Sequence, residues 1–522
     1  MKEKADLIVR NAVIHCTDDH NRIAGAMAVR DGRVLATGSG EEIAAKFGAD
    51  RVVDMEGRHV YPGFIDAHCH FYGYAIGLQY IDLTGSRSFD EVLARLREGG
   101  QPAPGKWLVG RGWDQNLWPV KEFPDNHRLD EIWPGVPVML IRIDGHVVLA
   151  SSEALRRAGI SSGHKFDPAQ VQEKEGRLTG ILSETAADVM RNAVPEPEGG
   201  ELESLLARAE RNCLDAGLTM VADAGLDLHQ LENVRRMQHA GGLHMHIYAM
   251  LTPTVETLNA FLPSGPMLEN KLTVRSVKLY ADGSLGSRTA RLKKPYADDP
   301  STSGIMVTLP DSIISLCKVA YEKGYQVNTH CIGDSATHLV LSIYAGFLKG
   351  KNDLRWRIEH AQVVDPPDMH LFGDYSVVPS VQATHATSDM RWAADRLGEE
   401  RMAGAYAYRS LLQQNGWIPN GTDFPIEHIS PLKTFFAAVA RKDESGYPEG
   451  GFGPGEALTR EEALKSITIW AARSCFTEKS KGSLEPGKDA DFVVLDGDLM
   501  TVPEMKIPGI RVTGTWIAGE QR

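Results

Sequence analysis

The strongest constraint on this chain is an alternation of strand and helix patterns that sets in at Leu202. Leu202 to Ala216 reads as a helix ended by Gly217, and Leu218 to Asp223 as a strand. His229 to Ala240 is helical again, followed by strands from His244 to Leu251 and from Val274 to Ala281. Asp311 to Lys323 carries helix start and stop signals, with an acid in its first turn and Gly324 after its end. The strand Tyr325 to His330, the helix Ser335 to Leu348, and the strands Trp356 to His360, Ser376 to Val381 and Trp417 to Thr422 continue the series. A further strand, Phe64 to His70, follows the turn Tyr61-Pro62-Gly63 and brings the strands to eight. Strands joined through helices form parallel sheets, because a parallel connection needs a long crossover. Eight of them predict an α/β fold closed as a (β/α)8 TIM barrel, whose functional residues gather at the C-terminal strand ends.

Polar residues stand at those ends. Side chains alternate along a strand, so His68 and His70 point one way and Cys69 the other. Lys278 lies in the fourth strand, His330 ends the fifth, His360 ends the sixth and Asp423 follows the eighth. Each has an ordinary reading alone: a lysine in a half-buried strand, a histidine capping a helix, an aspartate in a turn. At one rim of one barrel, four histidines and an aspartate make a set of nitrogen and oxygen donors suited to zinc, iron or manganese.

The rest of the chain is organised around this unit. Asp6 to Cys16 alternates as a strand, and Ala24 to Gly38 reads as a hairpin about Asp31-Gly32. Gly482 to Leu495 is a turn and then a strand, and Val512 to Ala518 is another strand. A lone hairpin is marginal in water, so residues 1–60 and 478–522 are expected to share one composite β-sandwich. The barrel is assigned to 61–71 and 201–477. Residues 72–200 break its rhythm and are read as an insertion covering the barrel mouth, because they follow the His68–His70 strand directly. Within it Val136 to Arg142 is a strand, Val147 to Ala158 is helical and 161–180 is loop-rich. Trp113, Asp114 and His146 are its candidates for touching a ligand. After the fourth strand, Arg288 is a candidate clamp for a carbonyl or carboxylate. After the seventh, His385 and Trp392 are candidate pocket residues.

Composition narrows the function. The 522 residues are 42% apolar and 24% charged, the balance of a soluble globular protein. A net charge of -13 argues against nucleic acid or an anionic membrane as partner. Six isolated cysteines form no Cys-x-x-Cys pair and suggest no disulfide framework. With no apolar leader and no span-length apolar run, the expectation is a cytoplasmic protein acting on a small molecule, with a homodimer left open.

Four stretches carry a resemblance over nearly the whole chain: Lys-Leu-Tyr-Ala-Asp-Gly-Ser-Leu-Gly-Ser-Arg (278–288), Thr-His-Cys-Ile-Gly-Asp (329–334), Arg-Ile-Glu-His-Ala-Gln (357–362) and Gly-Thr-Asp-Phe-Pro (421–425). With His68-Cys69-His70 they resemble the amidohydrolase superfamily, and within it the third amidohydrolase family, that of N-substituted formamide deformylase. The resemblance implies a binuclear centre, two Zn2+ or alternatively Fe2+ or Mn2+. His68, His70 and Asp423 would hold one ion, His330 and His360 the other, and a carbamate on Lys278 would bridge them. A mononuclear centre with Lys278 unmodified stays open. Asp423 would be both ligand and proton shuttle, with Asp282 and Glu359 orienting the ligands. The implied reaction is hydrolysis of a C–N bond in an N-acyl or N-formyl amine. The alternatives are a heterocycle deaminase of the same superfamily, which the lysine weighs against, and a regulatory protein with an inactive site, which the complete ligand set weighs against.

Overall fold

The computed structural model describes residues 2–100, 102–103 and 105–522. Its centre is a parallel sheet of strands β1 (Phe64–Cys69), β2 (Leu218–Leu226), β3 (His246–Leu251), β4 (Leu272–Tyr280), β5 (Gln326–Cys331), β6 (Arg357–His360) and β7 (Val378–Ser380), paired in that order. Helices Gly199–Asp215, Leu228–His239, Pro310–Lys323 and Asp334–Leu348 fall within a few residues of the sequence expectation. Gly324 takes φ +73 at the end of the third of these, the left-handed cap that glycine adopts without a steric penalty.

The eighth strand departs from expectation. Residues 417–422 form no ladder strand; Asn420 makes only an isolated parallel bridge to Val381. The segment still closes the barrel. Gly421 N–H donates to the Val381 carbonyl at 2.9 Å, and Asp423 N–H donates to the His68 carbonyl at 2.8 Å. The regular ladder fails because the Asp66 carboxylate intervenes, accepting the Thr422 N–H at 3.0 Å and the Thr422 hydroxyl at 2.7 Å. Gly421 is required by close approach: a Cβ there would lie 2.5 Å from the His68 nitrogen and 2.6 Å from its oxygen.

Both ends of the chain enter one two-sheet unit. Phe492–Leu495 pairs antiparallel with His59–Pro62, which in turn pairs with Val13–His15. The facing sheet is built on Glu3–Arg10, flanked by Ala26–Arg30 and Phe47–Asp54. Leu7, Val29, Val60, Phe492 and Trp516 fill the space between the sheets. The single strand expected from Asp6 to Cys16 is therefore two strands in different sheets. The break is at Asn11, which takes φ +51 and turns the chain from one sheet to the other. The hairpin turns where Asp-Gly requires, with Asp31 at φ +51 and Gly32 at φ +71.

The segment after β1 is more ordered than its sequence suggests. It builds a six-stranded sheet of its own that includes Leu108–Trp113, Val138–Arg142, Val147–Ala150 and Arg177–Ser183. Val147–Ala150 is a strand rather than the start of a helix, and the stretch read as loop, 161–180, contains the strand Val171–Lys174. Both pair antiparallel with Arg177–Ser183, a partner that local pattern does not reveal. Among the described residues, no helix is long and apolar enough to cross a membrane.

Trp113 needs correction as a ligand candidate. It is 1% exposed and packs in the core of this second sheet, and its indole N–H donates to the Leu140 carbonyl at 3.0 Å. Trp113→Ala is therefore expected to cost about 3–5 kcal/mol of stability through the cavity it leaves. Chemical denaturation should read that loss, with no reordering of substrate preference among molecules that stay folded.

Candidate metal centre

At the C-terminal end of the barrel, the ligand atoms of His68, His360 and Asp423 all lie within 4.8 Å of one another. Asp423 follows Thr422 at φ +62, a turn that carries its carboxylate to the mouth. Its Oδ1 is 3.2 Å from His70 Nε2 and 3.6 Å from His68 Nε2, while Oδ2 is 3.4 Å from His385 Nε2. Lys278 Nζ, on β4, stands 3.5 Å from His68 Nε2 and is 1% exposed. The His330 ring lies 4.6 Å from the His360 ring, centroid to centroid, although His330 is outside the three-residue cluster.

Three of these imidazoles share one feature. In each, one ring nitrogen is tied back by the protein. His68 Nδ1 meets Glu359 Oε2 at 2.5 Å, His330 Nε2 meets the Gly283 carbonyl at 3.1 Å, and His360 Nδ1 meets Gln382 Oε1 at 2.6 Å. A metal-ligating histidine is normally oriented this way through its second nitrogen. Glu359 is gripped in turn by Arg357 Nε at 2.6 Å. Burial alone would raise its carboxyl, but Arg357 and His68 hold it well below the usual range. Asp282 takes a different part. It accepts the Ile332, Gly333 and Arg291 N–H groups and so fixes the backbone after β5.

The donor set fits a divalent cation. Burial lowers His68 to about 4 and pushes His330 and His360 well below their ordinary value, which leaves neutral rings with lone pairs to offer. Asp423 Oδ1 is buried with no hydrogen-bond partner among the described residues. Against the effect of burial, His385 and His70 keep the Asp423 carboxyl far below its usual range. An orphaned carboxylate oxygen 3.6 Å from the neutral His68 ring is stable when a cation shares it.

The other candidates divide. His385 stands on Asp423, which raises it to about 9 despite its burial, and its ring stacks 5.6 Å from His360. His146 reaches in from the second sheet, its ring 5.1 Å from His330 and its Nδ1 2.9 Å from Glu184 Oε2. Trp392 lines the cavity that contains His330, His360 and Asp423. Arg288 does not reach it. Its guanidinium pairs with Asp298 at 2.9 Å and borders a separate pocket. The carboxylate clamp expected there is replaced by a docking contact: Asp144 accepts Ser284 Oγ at 2.6 Å and Arg142 Nη1 at 2.5 Å, joining the loop after β4 to the second sheet.

Two cavities meet at this centre. One, of 640 Å³, is bordered by His330, His360, Asp423 and Trp392. The other, of 410 Å³, is bordered by His70, Arg111 and Glu184. Asp144, His146, Pro425 and Ile426 border both. Sequence reasoning missed Arg111, on a strand of the second sheet, and Glu184, which opens the helix after its strand Arg177–Ser183, because neither lies in a spacing that marks a site.

Comparison with known proteins identifies the family. Residues 51–522 match the amidohydrolase family. The protein LONG AFTER FAR-RED 3 of Arabidopsis thaliana is 33% identical over 537 residues, covering 99% of this chain and 91% of that one. N-substituted formamide deformylase of Arthrobacter pascens is 26% identical over 551 residues, covering 100% and 99%. The crystal structure of an uncharacterized metal-dependent hydrolase from Pyrococcus horikoshii OT3 superposes with a TM-score of 0.79 at 30% identity, covering 95% and 99%.

Proposed function

The chain belongs to the amidohydrolase family, and from that premise we propose that this metal-dependent hydrolase cleaves the C–N bond of an N-acyl or N-formyl amine. The observation that carries the reading is the tethered set His68, His330 and His360 beside Asp423 and Lys278. With His70 they would hold two divalent ions, Zn2+ by donor type and Fe2+ or Mn2+ by the same chemistry. When bound, such ions polarise a carbonyl and make water acidic near neutral pH. Carbon dioxide carried on Lys278 as a carbamate would turn a repelling cation into a bridging anion.

The chain's own residues then do the following. Asp423, ionised and held by His70 and His385, accepts the proton that water loses and can return it to the leaving amine. Glu359 and Gln382 keep His68 and His360 in place while charge moves. His146, anchored by Glu184, faces His330 across the junction of the two cavities, where a substrate carbonyl would sit.

Elemental analysis after reconstitution with zinc and bicarbonate, followed by amine release from a panel of N-acyl and N-formyl amines, tests the reading. The expected result is two metal ions per chain together with turnover of at least one amide. Fully loaded protein that releases ammonia from aminated heterocycles and no amine from amides would replace it with the deaminase reading.

A further inference from the structure

The 410 Å³ cavity is bordered by Arg111, which forms no salt bridge among the described residues. Arg111 lies on the strand Leu108–Trp113, and its Nε is buried with no hydrogen-bond partner among the described residues. Of the neighbouring carboxylates, Asp144 is held by Arg142 and Ser284 and Asp188 by Arg191, while Glu184 is held by His146 through Oε2 only, its Oε1 having no hydrogen-bond partner among the described residues. Glu196, exposed at the rim, takes Gln230 at 3.5 Å. Arg191 is used up by Asp188 and the Gly145 carbonyl. Burial lowers Arg111 to about 10, so it stays charged at neutral pH. A buried guanidinium Nε without a partner is costly unless a ligand supplies one, and the planar fork of the group matches a carboxylate. Ile76, Tyr80, Met139, Ile141 and Val307 give the same cavity apolar walls.

The two cavities meet beside His146, with His70 facing the smaller and His330, His360 and Asp423 facing the larger. A bond cleaved at that junction has space for a substituent on each side. An N-formyl amine would leave one side empty.

We propose that the substrate is an amide substituted on both sides, with the half that enters the smaller cavity apolar and ending in a carboxylate that Arg111 binds. This rests on the amide-hydrolase reading above and narrows it from amides in general to anionic N-acyl compounds. The carboxylate can come from the amine half, as in an N-acyl amino acid, or from the acyl half, as in the monoamide of a dicarboxylic acid.

Calorimetry with sulfonamide isosteres, which the enzyme cannot hydrolyse, tests the site directly. Three probes suffice: a carboxylate on the amine side, a carboxylate on the sulfonyl side, and the neutral parent. The zinc-loaded protein is expected to bind one charged probe more tightly than the neutral one. Arg111→Met should shrink that preference by roughly 10- to 100-fold, and Arg111→Lys, a point charge, should retain part of it. Equal binding of all three probes by the unaltered protein overturns the proposal, as does a preference that survives in Arg111→Met. Should Arg111→Met fail to fold, an undiminished preference in Arg111→Lys overturns it too. Turnover of the matching amides is followed separately. Arg111-dependent anion binding without any amide turnover would sink the amide reading alone; amide turnover without anion preference would sink the Arg111 site alone.

Discussion

Asp423→Asn is expected to lower turnover by about 10²- to 10⁴-fold, the range typical of a lost general base, while much of the bound metal stays. The substitution preserves shape and one ligand oxygen and removes the group that takes a proton. Asp423 is placed for both duties. Oδ1 lies 3.2 Å from His70 Nε2, and Oδ2 lies 3.4 Å from His385 Nε2 and 4.0 Å from His360 Nδ1. The competing role, a cap on the following helix, does not fit. That helix is Pro431–Ala440, its cap residue is Ser430, and the Asp423 side chain makes no bond to it. Steady-state kinetics and elemental analysis on the same preparation decide the matter. Near-normal turnover with full metal would remove Asp423 from the chemistry.

Lys278→Ala is expected to shed metal and fall to the background rate, and a short carboxylic acid should restore part of both. Lys278 is 1% exposed, and its Nζ stands 3.5 Å from His68 Nε2 and 4.7 Å from the Tyr280 ring centre. Burial lowers it to about 8, so a neutral amine able to take up carbon dioxide is accessible near neutral pH. An unmodified ammonium would sit against the imidazoles that must hold cations. A carboxylic acid diffusing into the space left by the side chain supplies the two anionic oxygens that the carbamate would have supplied. Metal content measured with and without propionate is the readout. Unchanged metal content in Lys278→Ala would exclude a bridging role for this residue.

Much of the barrel and of its rim was legible because both rest on local rules. Period-two alternation put His68 and His70 on one side of β1, and helix stop signals such as Gly324 bounded the elements between strands. Where a side chain's fate depended on a distant partner, local pattern failed. The position of Arg288 after β4 suggests a clamp, but Asp298 captures it. Trp113 is a candidate for touching a ligand by sequence, and the sheet that buries it is closed by strands from 147 to 183. The expected eighth strand lost its ladder to the Asp66 carboxylate, 356 residues earlier in the chain.

The sequence by itself therefore determined the parallel α/β barrel and the residues at its C-terminal strand ends. Backbone geometry and side-chain alternation are set within a few residues, and they act the same way in any surroundings. Only the tertiary structure decided which nitrogen of His68, His330 and His360 is tied back, that Glu184 anchors His146, and that Arg111 Nε is left without a hydrogen-bond partner among the described residues. Those outcomes turn on electrostatic and hydrogen-bond pairing between segments far apart in the chain. Pairing of that kind exists only once those segments are folded against one another, where a lower local dielectric strengthens each hydrogen bond and ion pair.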